Sequence, residues 1–239
     1  MNEEQLNLLR QNIEKVKDNI FLTAQQAGRN PDLIELVAVT KGRTAEVVKA
    51  VAEFDVSRIG ESFLKEAIFK IELLADYPIQ WHMIGPIQSG KGRNIAANFD
   101  VVHSVDKLTS AEGIHKFALG YERKIPVYLE LNVSGEETKH GWDARNQDSW
   151  NLILPDIEKI LDLSALRVKG LMTMAPYSLN PEDARPYFKR LRQARDYLSE
   201  SFPAGNIEGL SMGMSGDYEV AIEEGATILR IGSALVGNR

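Results

Sequence analysis

At 239 residues, the chain suits one (β/α) barrel of about 250 residues, and its lack of cysteine excludes disulfides and thiolate metal sites. A formal net charge of −6 argues against a nucleic-acid partner, because phosphate backbones are met by basic surfaces. No apolar run approaches the roughly 20 residues of a membrane span, and the polar, acidic start Met1–Gln5 is unlike a signal peptide, so the expectation is a cytoplasmic protein with no membrane partner.

In chain order, Leu6, Leu9, Ile13, Val16 and Ile20 alternate steps of three and four, which predicts an amphipathic N-terminal helix stopping near Gly28. Leu36-Val37-Ala38-Val39-Thr40 is apolar, rich in β-branched residues and too short for a typical helix, so it predicts a buried strand. The alternation then continues. Strands are predicted over 35–40, 56–59, 80–84, 100–104, 126–133, 166–172, 207–211 and 227–231. Helices are predicted over 44–54, 62–75, 89–98, 107–120, 148–161, 182–201 and 216–224. Strands separated by helices pair in parallel, because parallel neighbours need a crossover between them. Eight such units predict a closed (β/α)8 barrel, a TIM barrel, spanning 1–239 as one domain, with an open doubly wound sheet as the alternative.

Barrel chemistry sits at the C-terminal strand ends, and the unusual residues cluster there. Lys41 follows the first strand. A partly desolvated lysine there would supply the neutral amine that Schiff-base formation needs; the plain alternative is a surface lysine. Arg230-Ile231-Gly232-Ser233-Ala234 ends the last strand, where barrels often bind phosphate. Gly232 allows close backbone approach, Ser233 adds a hydroxyl, and Ser215 opens the preceding helix; a turn and a helix cap are the ordinary readings.

Gly85-Pro86-Ile87-Gln88-Ser89-Gly90-Lys91-Gly92 nearly matches a nucleotide P-loop, but Gly92 stands where the magnesium-binding Ser or Thr belongs and Pro86 removes an N–H donor. The histidines His82, His103, His115 and His140 lack helical zinc spacing. His82, within Gln80–Ile84, is a cofactor candidate at the barrel mouth, with a hydrogen-bonded core histidine as the other reading.

Taken together, Leu36–Lys41, Gly60-Glu61, Trp81–Ser89, Gly170-Leu171-Met172, Leu210–Ser215 and Arg230–Ala234 resemble the pyridoxal phosphate homeostasis family, in that family's order and across essentially the whole chain. The resemblance implies a fold-type III barrel related to the alanine racemase N-terminal domain. It implies pyridoxal 5′-phosphate (PLP) carried as a Schiff base on Lys41. Arg230 would face the pyridine nitrogen, and Ser215, Gly232 and Ser233 would hold the phosphate.

Two positions depart from the pattern or leave it open. Ser62 stands where the family usually has Asn, which replaces a paired amide donor and acceptor by one hydroxyl. Lys139 lies where relatives tend to have a lysine, and a cofactor contact and a solvated loop lysine both remain open. The implied function is a non-catalytic PLP carrier that serves PLP-dependent apoenzymes, and a monomer is expected because no segment reads as a domain dedicated to dimerisation. The alternatives are an amino-acid racemase, which needs acid–base groups on both faces of the substrate, and a cofactor-free lysine aldolase.

Overall fold

The computed structural model describes residues 1–237. Among the described residues, nine strands run β1 Glu35–Val39, β2 Arg58–Glu61, β3 Gln80–Met83, β4 Val101–Val105, β5 Ile125–Asn132, β6 Trp142–Asp143, β7 Leu166–Met172, β8 Gly209–Ser211 and β9 Ile228–Ile231. The α-helices are α1 Glu3–Gln26, α2 Ala45–Glu53, α3 Leu64–Leu73, α4 Gly92–Asn98, α5 Leu108–Gly120, α6 Gln147–Leu161, α7 Arg185–Ser201, α8 Tyr218–Glu223 and α9 Ser233–Val236.

Eight strands close a parallel ring in the order β1-β2-β3-β4-β5-β7-β8-β9, sealed by the pairing of β9 with β1 and of β4 with β5. The expected closed barrel is therefore present and the open sheet is not. Two-residue β6 pairs outside the ring with the end of β5, and no apolar pattern announces it.

The strands alternate their side chains between two environments, as the pleat requires. Outward residues such as Ala38, Leu129, Leu210, Leu229 and Ile231 pack with the helices in one large apolar cluster. Inward residues Val37, Val101, Tyr128, Met172 and Ile228 form a second, smaller cluster in the lumen.

The N-terminal helix starts at an Asn2–Gln5 capping box and buries Leu9, Ile13, Val16 and Ile20, the residues its spacing selects. It packs against α8 and α9, where Asn19 donates to Tyr218 Oη (3.1 Å) and Asn12 to the Leu235 carbonyl (3.1 Å).

One boundary matters for the site. β2 begins two residues later than expected, because Arg58, Ile59, Gly60 and Glu61 are the residues in register with β3. Gly60 faces the lumen, where an added Cβ would lie 2.9 Å from Val37 Cγ1. Glu61 thus belongs to the strand and points away from the lumen, towards Lys70 of α3.

Candidate functional site

The C-terminal strand ends surround a cavity of about 310 Å3, within the range of about 300–1,000 Å3 common for small-molecule pockets. Lys41, Ser62, Ser215, Arg230, Gly232 and Ser233 all line it. Six of the eight residues singled out from the sequence therefore meet in one place, although they span most of the chain.

Lys41 sits in a turn closed by Arg43 N–H donating to the Thr40 carbonyl, with Gly42 at φ 73°, a left-handed conformation that suits glycine. Polar contacts grip this turn from both sides. Lys70 Nζ donates to the Thr40 carbonyl (2.9 Å), to Glu61 Oε1 (2.7 Å) and to Glu66 Oε1 (2.6 Å). Thr40 Oγ1 donates to Glu61 Oε1, and Gly42 N–H to Glu66 Oε1, each at 2.6 Å. Burial raises the Glu61 pKa, while hydrogen bonds from Lys70 and Thr40 oppose the shift. The expected desolvation of Lys41 is not seen: the residue is exposed, because the turn lifts it beyond the apolar strand. What the fold supplies is a fixed backbone beneath that lysine.

Opposite, Ser215 Oγ accepts from Gly232 N–H (3.2 Å) and Ala234 N–H (3.1 Å), joining the loop after β8 to the start of α9. Both bonds use the hydroxyl as acceptor, which leaves its proton to donate. Asp217 shapes this loop: its Oδ1 accepts from Met214 N–H (2.6 Å), while Asp217 N–H returns a bond to the Met214 carbonyl (3.1 Å). Asp217 was not anticipated. A carboxylate three residues past Met214, at a helix start, is the local signal that could have shown it. Gly232 has φ −112°, so its value is space and not backbone freedom; an added Cβ would lie 3.4 Å from Val39 Cβ.

Arg230 enters from below and is only 4% exposed. Its Nη1 donates to Ser211 Oγ (2.6 Å) and its Nη2 to the Thr173 carbonyl (2.8 Å). Burial lowers its pKa to about 10, against the opposing fields of Glu130 and Asp217. It stays a cation at neutral pH. Glu130, also in the lumen, is raised to about 7 chiefly by burial.

Two candidates fall elsewhere. His82 is not at the mouth: it is 1% exposed inside the barrel, where Nδ1 meets His103 Nε2 at 2.8 Å. Its inward position in β3 lies too far down the strand to line the cavity, so the core-histidine reading holds. Lys139 does not line the cavity either. Its ammonium donates to the Met174 carbonyl (3.1 Å) and pairs with Glu136 (2.5 Å), so it braces a loop whose Met174 does line it.

The near P-loop has a packing explanation. A Cβ on Gly85 would lie 2.3 Å from the Ser62 carbonyl oxygen, and one on Gly92 would lie 2.3 Å from that of Gly113. Both glycines permit close backbone approach. Among the described residues, no cluster of three or more His, Asp or Glu could hold a metal, and no helix is long and apolar enough to cross a membrane.

Comparison with known proteins places the chain among relatives over its full length. A family model, alanine racemase, N-terminal domain, matches residues 11–239. The pyridoxal phosphate homeostasis protein of Aquifex aeolicus is 38% identical over 95% of this chain and 96% of its own. Its namesake in Pseudomonas aeruginosa is 39% identical over 98% and 97%. Among solved structures, PipY of Synechococcus elongatus, determined with PLP bound, superposes with a TM-score of 0.82 at 27% identity, covering 96% of this chain and 100% of that one.

Proposed function

The chain belongs to the pyridoxal phosphate homeostasis protein family, and from that premise we propose that it binds PLP in the cavity at the barrel mouth and carries it as a Schiff base on Lys41. The observation that supports this most is the convergence of Lys41, Arg230 and the Ser215–Gly232–Ser233 loop on that one cavity. Bound there, PLP supplies an aldehyde that condenses with a primary amine with loss of water.

The donor set fits this ligand. Lys41 is the amine at the mouth. The Ser215 hydroxyl and the N–H groups of Gly232 and Ala234, which now share one oxygen, match the oxygens of a phosphate dianion. The Arg230 guanidinium offers N–H donors to a ring nitrogen. An arginine can only donate, so it favours the unprotonated pyridine, the weaker electron sink.

That property suits storage and delivery better than turnover. We take the protein to be a monomeric, cytoplasmic PLP carrier without useful catalysis, releasing PLP to apoenzymes. Ser62 borders the cavity as a lesser contact, and Lys139 acts through the Met174 loop.

The test is direct. Full-length protein incubated with PLP should turn yellow, and borohydride followed by mass spectrometry should place the reduced adduct on Lys41. Lys41→Ala should lose that adduct; unchanged yield on another lysine defeats the assignment. Turnover of any amino acid at about 1 per second or faster defeats the carrier reading.

A further inference from the structure

The lumen below Arg230 holds a line of polar side chains that the proposed cofactor contacts leave unused. Arg230 Nη1 reaches Ser211 Oγ (2.6 Å), which meets His103 Nδ1 (2.8 Å). His103 Nε2 meets His82 Nδ1 (2.8 Å), and His82 Nε2 meets Gln80 Oε1 (3.2 Å). Ser211, His103 and His82 are 0%, 0% and 1% exposed, whereas Gln80 at the far end of β3 is exposed. Tyr128 stacks on His103 with ring centroids 4.8 Å apart and fixes its plane.

Proton counting gives this line a direction. Arginine has no acceptor atom, so Ser211 Oγ must accept from it. The Ser211 proton is then best used on His103 Nδ1, which puts the His103 proton on Nε2. That proton goes to His82 Nδ1, so His82 also carries its own proton on Nε2 and donates it to the Gln80 carbonyl. Every donor and acceptor from Ser211 Oγ to the Gln80 carbonyl is then used. The reverse order leaves the buried Ser211 proton without an acceptor and needs the Gln80 amide turned over.

Both imidazoles are neutral. Burial and then the Arg58 field bring His82 to about 3; burial, then His82 and Arg230, bring His103 well below its usual range. Glu130 and Asp217 face Arg230 and favour its charge.

We propose that Ser211, His103 and His82 are positioning residues: a one-way relay, with both histidines protonated on Nε2, that locks the Arg230 guanidinium in the orientation used for the cofactor's ring nitrogen. The role towards the cofactor rests on the site reading above; the direction of the relay does not.

Two measurements test it. The first uses full-length protein labelled with 15N-histidine and cleared of PLP with hydroxylamine. Its nitrogen–proton correlation spectrum should show both buried histidines as Nε2–H tautomers, unchanged between about pH 5 and 8. A buried Nδ1–H tautomer, or titration in that window, overturns the relay, and this readout requires no variant to fold.

The second compares wild type with Ser211→Ala for PLP and for its analogue with carbon in place of the ring nitrogen. PLP binding should weaken about tenfold or more, the scale of one hydrogen bond to a charged group, while the carbon analogue binds both proteins alike. Equal weakening of the two ligands, or no weakening of either, overturns the positioning role alone. Wild-type protein that takes up no PLP overturns the site reading and that role together, and leaves the tautomer result to judge the relay.

Discussion

Lys70 and Arg230 are both buried cations beside the cavity, one outside the barrel wall and one inside it, and their charges are met in opposite ways. Lys70, between the strands and α3, has carboxylates at 2.7 and 2.6 Å, and its third bond goes to the turn that carries Lys41. Arg230 bonds to a hydroxyl and a carbonyl, both neutral, and no ion pair to it occurs among the described residues. The outer network meets its ammonium with carboxylates of the protein itself and holds backbone in place. The inner one keeps a positive charge buried at the expense of apo stability and presents it to the cavity. Together they separate what stabilises the fold from what favours a ligand.

The largest effect that could break this comparison concerns Lys70. Lys70→Met strands Glu61 in an apolar layer, with Glu61 Oε2 already unpartnered. Urea unfolding should show a loss of about 3–5 kcal/mol, the usual cost of removing one member of a buried pair. A loss below about 1 kcal/mol would place Lys70 with surface ion pairs and end the contrast.

Next comes Glu130, the ionisable carboxyl of the lumen. Its folded pKa, about 7, lies above the ordinary 4.5, so the folded chain holds a proton that the unfolded chain has released. The stability it lends is complete below about 4.5 and is lost as pH rises to about 7. Glu130→Gln removes this slope. Relative to the variant, wild type should lose on the order of 2–3 kcal/mol between pH 4.5 and 7, read from urea midpoints. His82 and His103 act in the opposite sense: below about pH 6.5 the unfolded chain binds protons that the folded lumen refuses. They remain in both proteins and cancel. A difference that does not change with pH would mean that Glu130 ionises normally.

The smallest change expected in apo stability is that of Arg230→Met. It deletes a buried charge and leaves two neutral acceptors, so urea midpoints should stay within about 1 kcal/mol of wild type. PLP affinity should nevertheless fall by more than tenfold, the reverse of the pattern expected for Lys70→Met. If both variants unfold equally easily, the two regions do not divide the work.

Which parts were legible in the sequence follows from the same division. Leu36–Val39 shows its strand because both faces of β1 are covered, and Lys41 stands out against that run. The loop at Gly232-Ser233 shows itself by residue type at a strand end. Lys70 stays hidden: a lysine four residues after Glu66 on a helix reads as a solvated pair, and only the tertiary approach of Glu61 makes it buried. His82 and His103 lie 21 residues apart, without metal-site spacing. They meet because β3 and β4 are parallel neighbours and both residues take inward positions, which the pairing of His82 with Val101 establishes. The exposure of Lys41 escaped as well, since the height of a turn above a strand leaves no mark on periodicity.

The seal between the first and last strands also sets a timetable for biosynthesis. Glu35 pairs with Ile228, about 190 residues later, and α1 finds most of its packing partners on α8 and α9. On a ribosome adding about 5–20 residues per second, β1 waits about 10–40 s with one edge bare and a template open to other strands. Over that interval the N-terminal helix has only α2 and the Pro31–Leu33 turn to pack on, and the exposure ends when β9 emerges.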